Sequence, residues 1–162
     1  MRDAPCPATT PTMTEFKSHM PLALAEARAA AKRGEVPVGA VLTSADGRIV
    51  ATTGNRMREL SDPTAHAEIL AIRQACAAAG SDRLPGHGLW VTLEPCPMCA
   101  AAISAARIAV LYYGASDPRM GGVAHGARVF DHPQCHHRPQ IYDGISAEAS
   151  RDLLKSFFEA RR

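Results

Sequence analysis

The sequence is short of several features that mark other classes of protein. It contains no apolar run near the ~20 residues that a membrane-spanning helix requires, and aromatic residues make up only 5% of the chain. The net charge is only +2, so charge alone does not indicate nucleic acid as a partner. Hydrophobic residues fill 46% of the 162 positions and charged residues 21%, which excludes a disordered or fibrous chain and predicts one globular domain.

The cysteines do not follow the pattern of a secreted, disulfide-bonded protein. They are odd in number and unevenly spaced, and no apolar signal segment precedes them. We therefore expect a cytoplasmic protein, in which a close cysteine pair more often binds metal or reacts than forms a disulfide. The five are Cys6, Cys76, Cys96, Cys99 and Cys135.

The apolar periodicity and the turn residues predict an α/β sandwich with helices on both faces of one sheet. Residues 1–13 are expected to be a flexible leader, with Met13 as an alternative start, and residues 14–162 to form a single domain. The predicted elements are helix 14–34, hairpin strands 36–43 and 48–53, helix 62–80, strand 89–93, helix 98–106, strand 110–113 ended by Gly114, loop 121–139 and helix 147–162.

Two short motifs, each at the start of a predicted helix, indicate a metal site. Cys96 and Cys99 are three positions apart, so both sulfur atoms project from one face of the first turn. A helix N-terminus favours the thiolate, which is the form that binds metal. With His66 they supply two thiolates and one imidazole, which predicts one tetrahedral zinc ion per chain with its fourth position open, as in catalytic sites.

Glu68 lies two residues beyond the histidine and supplies the catalytic group. Its carboxylate is not needed as a ligand, and it can take a proton from water activated by zinc and return it to a substrate nitrogen. The order His-x-Glu followed by Pro-Cys-x-x-Cys resembles the signature of zinc deaminases. The alternative is a purely structural zinc site beside an incidental Glu68.

A second histidine- and cysteine-rich segment leaves another possibility open. Cys135 lies close to His132, His136 and His137, and four potential ligands within six positions could hold a second metal ion. Their spacing does not match known structural zinc sites, so we expect one zinc ion rather than two. Cys76 falls at helical spacing with Ile69 and Ile72, which predicts a small core residue.

Beyond the two motifs, the sequence resembles bacterial tRNA-specific adenosine deaminases of the cytidine deaminase-like superfamily. The resemblance runs from about residue 15 to the end. It implies a three-layer α/β/α sandwich around a five-stranded mixed sheet, a homodimer with composite active sites, and hydrolysis of the wobble adenosine of an arginine tRNA to inosine. The matching stretches are 35–41, Asn55-Arg56, 62–68, 93–99, 113–115, Phe157-Phe158 and Arg161-Arg162.

The resemblance also implies roles for individual residues. Asn55 would hydrogen-bond the flipped nucleoside, Val38 would wall the base pocket, and Asp117 would contact the backbone beside the target. Phe158 and Arg161 would touch the anticodon loop. The residues themselves leave simpler roles open, because Asn55 and Asp117 are also turn formers, and an exposed Phe158 could equally be a dimer contact.

Two other functions fit the same motifs. Deaminases of free guanine, cytosine or adenine bases or nucleosides share them, because signature motifs alone do not fix the substrate. A non-catalytic zinc-binding subunit is the second alternative, and the presence of Glu68 speaks against it.

Overall fold

A computed structural model describes residues 16–161 as one sheet covered by helices. The expected leader, residues 1–13, lies outside the described residues. The elements are α1 (Met20–Lys32), β1 (Gly39–Thr43), β2 (Ile49–Gly54), α2 (Met57–Leu60), α3 (Ala67–Ala79), β3 (Gly88–Leu93), α4 (Pro97–Ala105), β4 (Val110–Ala115), a 3₁₀ turn (Val129–Asp131), β5 (Gln140–Tyr142) and α5 (Ala147–Glu159).

The sheet has five strands in the order β2-β1-β3-β4-β5. β1 is antiparallel to both β2 and β3, whereas β3, β4 and β5 are parallel to one another. The β1–β2 hairpin closes through a turn in which Gly47 has a φ of 82°, a conformation that glycine adopts without steric cost. The predicted five-stranded mixed sheet is confirmed.

Successive strand residues point to opposite faces, and each face has its own core. Leu89 and Val91 of β3 belong to the core beneath α3 and α4. Trp90 lies between them in sequence and packs instead with Met20 and Leu24 of α1. With α5 also packed on β4, the predicted three-layer sandwich is confirmed.

Several element boundaries differ from the sequence prediction. Gly114 does not end β4 but lies within it, because the strand continues to Ala115. The first helix begins at Met20 and leaves Phe16 outside, and Leu22 on that helix is exposed. Two short elements, α2 and β5, were not predicted from the residues, since four and three positions are too few to show a period.

Strand direction explains why distant residues meet at one edge of the sheet. Because β2, β3 and β4 all run the same way, their carboxyl ends meet there, together with the start of the antiparallel β1. The segments at that edge contain Val38 before β1, Asn55 after β2, Cys96 after β3 and Asp117 after β4. Within residues 16–161, no helix is long and apolar enough to span a membrane.

Candidate active site

The three expected metal ligands converge at the amino ends of α3 and α4. His66 directly precedes α3 and Cys96 directly precedes α4, and each has an extended backbone conformation. His66 Nδ1 lies 3.8 Å from the Cys96 Sγ atom and 3.5 Å from that of Cys99. Among the described residues, these form the one group of three potential ligands whose donor atoms all lie within 4.8 Å of one another.

The spacing of these atoms fits zinc. Zinc binds sulfur at about 2.3 Å and imidazole nitrogen at about 2.0 Å, which at a tetrahedral angle separates nitrogen from sulfur by about 3.5 Å. Three protein ligands leave one position for a water molecule, which distinguishes a catalytic zinc site from a structural one.

The two cysteine thiols have pKa values that shift in opposite directions. The Cys99 thiol donates a hydrogen bond to Cys96, and with a further bond from His66 it lowers the pKa of Cys96 to about 4, although burial opposes this. The same hydrogen bond raises the pKa of Cys99. Because zinc binds the thiolate form of cysteine, metal binding has to displace any proton that these two sulfur atoms carry.

Glu68 lies in the first turn of α3 and is almost completely buried. Burial raises the pKa of its carboxyl group. Its Oε2 atom has no hydrogen-bond partner within the described part of the chain. A buried carboxylate oxygen without a partner is costly, so this atom is available to a ligand beside the three metal-binding residues.

A cavity of about 610 Å³ opens at this edge of the sheet and brings the expected site residues together. Val38, Asn55 and Asp117 line it along with His66, Glu68 and Cys96. The volume is ample for one nucleobase with its sugar, because small-molecule sites typically measure about 300–1,000 Å³.

Asp117 both lines the cavity and shapes a turn. Its Oδ1 accepts the backbone N–H groups of Arg119 and Met120 at 3.0 Å each. Asp117 is therefore a turn former, which was one of the two roles expected of it, and its Oδ2 has no protein partner among the hydrogen bonds of residues 16–161.

The sequence analysis missed one buried residue of the site, Glu94. Its side chain is fully buried and lines the same cavity, and its two oxygens accept hydrogen bonds from the segment that follows β4. Burial alone would raise the pKa of this carboxyl, but the N–H groups of Asp117 and His125 outweigh burial and lower it. No spacing signal could reveal this, because its partners lie 23–31 positions away.

Comparison with known proteins agrees with this geometry. Residues 13–115 match the family model of the cytidine and deoxycytidylate deaminase zinc-binding region. The tRNA-specific adenosine deaminase of Agrobacterium fabrum is 57% identical over 150 residues, which cover 93% of this chain and 98% of that protein. The Bacillus subtilis protein of the same name is 38% identical, with coverage of 93% and 92%.

The chain belongs to the tRNA-specific adenosine deaminase family. A solved structure from studies of A-to-I editing by tRNA:A34 deaminases superimposes with a TM-score of 0.82 at 60% identity, covering 83% of this chain and 97% of that one. Guanine deaminase from Bacillus subtilis gives a TM-score of 0.59 at 30% identity, covering 90% and 94%. The cytidine deaminase-like fold, the zinc cofactor and the hydrolytic deaminase class are thereby confirmed.

The two residues expected to touch the anticodon loop lie at the end of α5. Phe157 is buried and Phe158 is 50% exposed, as adjacent positions on one helix require. The Arg161 guanidinium stacks 3.6 Å from the centre of the Phe157 ring. It also approaches Gly34, whose Cβ position would be 3.8 Å from Arg161 Nη2. The end of α5 therefore lies beside the segment that leads into Val38.

The histidine- and cysteine-rich segment does not gather as a second metal site. Cys135 donates to the carbonyl oxygen of His137, and the His137 Nε2 atom bonds the carbonyl oxygen of Ile108 at 2.6 Å. Cys135, His132 and His136 line a separate cavity of about 440 Å³ beside the outer face of α4. Cys76, half-buried against the core, has the packing role that its spacing predicts.

Proposed function

We propose that this protein hydrolyses the wobble adenosine, position 34, in the anticodon loop of an arginine tRNA to inosine. The observation on which the chemistry rests is the buried, unpartnered Oε2 of Glu68 beside His66, Cys96 and Cys99. The substrate rests on family membership, since relatives that are 57% and 44% identical to this chain are named as tRNA-specific adenosine deaminases.

His66, Cys96 and Cys99 would hold a zinc ion, which would lower the pKa of water to about 7 and so supply a nucleophile at neutral pH. Glu68 accepts the proton of that water on Oε2, in keeping with its raised carboxyl pKa. It then delivers the proton to N1 of adenine as water adds at C6. A second proton passes through Glu68 to the exocyclic nitrogen, which leaves as ammonia.

Three residues orient the base. Val38, which is buried, forms one wall of the cavity. Asn55 uses its Oδ1 within the protein, so its amide Nδ2 is the group that donates to the nucleoside. Asp117 contacts the nucleotide backbone beside the target. The base must leave its stack to enter this cavity, and this costs less in a single-stranded anticodon loop than in a duplex.

The RNA outside the cavity contacts the end of α5. Phe158, half exposed, can stack on a loop base, and Arg161 adds positive charge beside it. Two such chains form a homodimer in which each active site is completed by the other chain, and the RNA substrate places the protein in the cytoplasm. Sedimentation analysis is expected to give twice the chain mass of 17.2 kDa, and a monomer at micromolar concentration would contradict the dimer.

The substrate is tested by incubating the zinc-loaded protein with an anticodon stem-loop of arginine tRNA that has adenosine at position 34. A stem-loop with the same adenosine in a different loop sequence runs in parallel, as do free adenine, guanine and cytosine bases and nucleosides. Glu68→Ala is the inactive control. Inosine at position 34 of the arginine stem-loop alone supports the proposal. Ammonia released only from a free base overturns the RNA assignment and keeps the deaminase chemistry.

A further inference from the structure

Glu94 is a buried carboxylate to which neither the metal chemistry nor the base pocket assigns a role. Five hydrogen bonds reach its two oxygens, and all come from residues that follow β4. Oε2 accepts the Asp117 N–H at 2.9 Å and lies 2.7 Å from His125 Nδ1. Oε1 accepts the N–H groups of Val123, Ala124 and His125 at 3.2, 2.9 and 3.0 Å.

These bonds saturate the group. A carboxylate offers about four lone-pair positions, so little capacity is left for substrate even though Glu94 borders the cavity. Within residues 16–161, His125 is the one Lys, Arg or His side chain within ion-pair distance of Glu94. Glu94 therefore holds the segment 117–125, which we call the Asp117 loop, mainly through backbone N–H groups.

The Asp117 loop is also fitted closely against the metal-binding segment. A Cβ on Gly121 would lie 2.5 Å from Glu94 Oε1, and one on Gly122 would lie 2.5 Å from the Pro97 nitrogen. The Gly122 N–H donates to the carbonyl oxygen of Pro95 at 2.8 Å. One stretch of chain, 94–99, thus contains two metal ligands and the anchor of the loop.

We propose that Glu94 is a positioning residue, which with His125 fixes the Asp117 loop relative to Cys96 and Cys99 and so sets the distance from Asp117 to the metal site. This inference rests on the proposed function only in that Asp117 meets the nucleotide beside the target base. The other part of the inference, that one buried carboxylate holds the loop, does not depend on the identity of the substrate.

The chain contains a matched control for this role. Glu35 is equally buried, and its Oε1 accepts the N–H groups of Arg58 and Glu59 at 2.8 and 3.0 Å. It thus holds α2, a different wall of the same cavity, which Met57 lines. Glu35→Gln makes the same chemical change as Glu94→Gln but acts on amides elsewhere in the chain.

Hydrogen exchange tests the anchoring without substrate. In Glu94→Gln one acceptor oxygen becomes an NH₂ donor that faces N–H groups in need of an acceptor. We expect amide exchange in the Asp117 loop to rise at least tenfold. Glu35→Gln can keep an oxygen toward Arg58 and Glu59, because its NH₂ group can take the position of Oε2, which has no partner within residues 16–161, and it should leave exchange in the loop unchanged. Unchanged loop exchange in Glu94→Gln, or an equal rise across the whole chain, would overturn the proposal.

A double-mutant cycle tests whether Glu94 acts through Asp117. With zinc at one ion per chain, Glu94→Gln is expected to raise KM for the stem-loop about tenfold and to change kcat less than threefold. Combined with Asp117→Ala, it should add little to the effect of Asp117→Ala alone. The effects of Glu35→Gln and Asp117→Ala, in contrast, should multiply. If the effects of Glu94→Gln and Asp117→Ala on KM also multiply, Glu94 does not act through Asp117 and has a merely structural role.

Misfolding of Glu94→Gln and failure of the proposed function can each be distinguished from failure of this proposal. If Glu94→Gln does not fold, His125→Ala removes one of the five donors from a side chain that is 39% exposed, and it should raise loop exchange and KM in the same direction by a smaller factor. If the wild-type protein deaminates a free base rather than RNA, the proposed function fails, and hydrogen exchange alone tests the anchoring, because a free base has no backbone for Asp117 to contact. The exchange result stands or falls independently.

Discussion

The side-chain oxygen of Asn55 accepts the backbone N–H of Ala67 at 2.9 Å, and Ala67 lies between the metal ligand His66 and Glu68. Asn55 also donates its own backbone N–H to the carbonyl oxygen of Val38 at 3.0 Å. A residue implied to contact substrate therefore also caps α3 and ties the pocket wall to it. The side-chain oxygen thus caps a helix twelve positions away rather than its own turn, and the substrate contact that the resemblance implies would use the amide Nδ2.

Asn55→Asp is expected to separate these two roles. Aspartate keeps an acceptor for Ala67 at the helix N-terminus, so the melting temperature should change by no more than a few degrees. It lacks the NH₂ donor, so kcat/KM should fall at least tenfold. Asn55→Ala should lose the same activity and about 1 kcal/mol of stability as well. Calorimetry and initial rates give both values, and full activity in Asn55→Asp would contradict a donor role.

Zinc content is expected to depend on Cys99 and not on the cysteines elsewhere. Cys99→Ser should reduce the metal from one ion per chain to a small fraction and lower the melting temperature, because zinc binds the folded state alone. Elemental analysis after dialysis measures the first quantity and calorimetry the second.

Cys76→Ser and Cys135→Ser are the controls for that measurement. Both cysteines are partly buried and lie outside the group formed with His66, so both variants should retain one zinc ion per chain. Two ions per wild-type chain, or loss of one in Cys135→Ser, would restore the second metal site that the histidine-rich segment first suggested.

Gly121→Ala is expected to raise KM for the stem-loop, and to raise it more than a substitution that strains the backbone elsewhere in the chain. The new Cβ would lie 2.5 Å from both Glu94 Oε1 and the Asp117 carbonyl oxygen, so the loop has to move away from the metal-binding segment. Gly80→Ala is the comparison, since its positive φ of 60° gives backbone strain but no atom lies within 4 Å. A higher KM in Gly80→Ala than in Gly121→Ala would contradict this account of the loop.

Substitutions at the end of α5 are expected to weaken RNA binding without slowing the chemical step. Phe158→Ala should raise KM for the stem-loop with little change in melting temperature, because the side chain is half exposed. Phe157→Ala, at a buried position, should destabilise the fold. Arg161→Gln should reduce the salt dependence of RNA binding by about 0.7 in the slope of log K against log salt. An unchanged slope would remove Arg161 from the RNA contact.

The sequence alone predicted the three metal-binding residues, because they lie in two short motifs whose spacing is visible within a few positions of the chain. Cys96 and Cys99 share one helical turn, and Pro97 marks the start of α4 directly after Cys96. The predicted start of the next-earlier helix at Asp62 and Pro63 is wrong, because α3 begins at Ala67, directly after His66. Helices after parallel strands begin at one edge, so the meeting of the two motifs could be inferred before any coordinate was known.

The rest depended on contacts between distant segments. Glu94 shows no periodicity, and its role appears only once the Asp117 loop folds back across 23–31 positions. The strand β5 was implied by resemblance and not by residues, since Gln140–Tyr142 offers three positions and no buried side chain. The hydrogen bond between Asn55 and Ala67 likewise joins positions twelve apart.

The account's central claim is tested most directly by Glu68→Gln with zinc fully loaded. Glutamine preserves size and burial but cannot accept or return a proton, so inosine formation at position 34 of the stem-loop should fall by at least about 10², with one zinc ion per chain retained. RNA binding should stay within a fewfold of wild type. Inosine formed at the wild-type rate by this zinc-replete variant would contradict the proton-transfer role of Glu68 and, with it, the proposed mechanism.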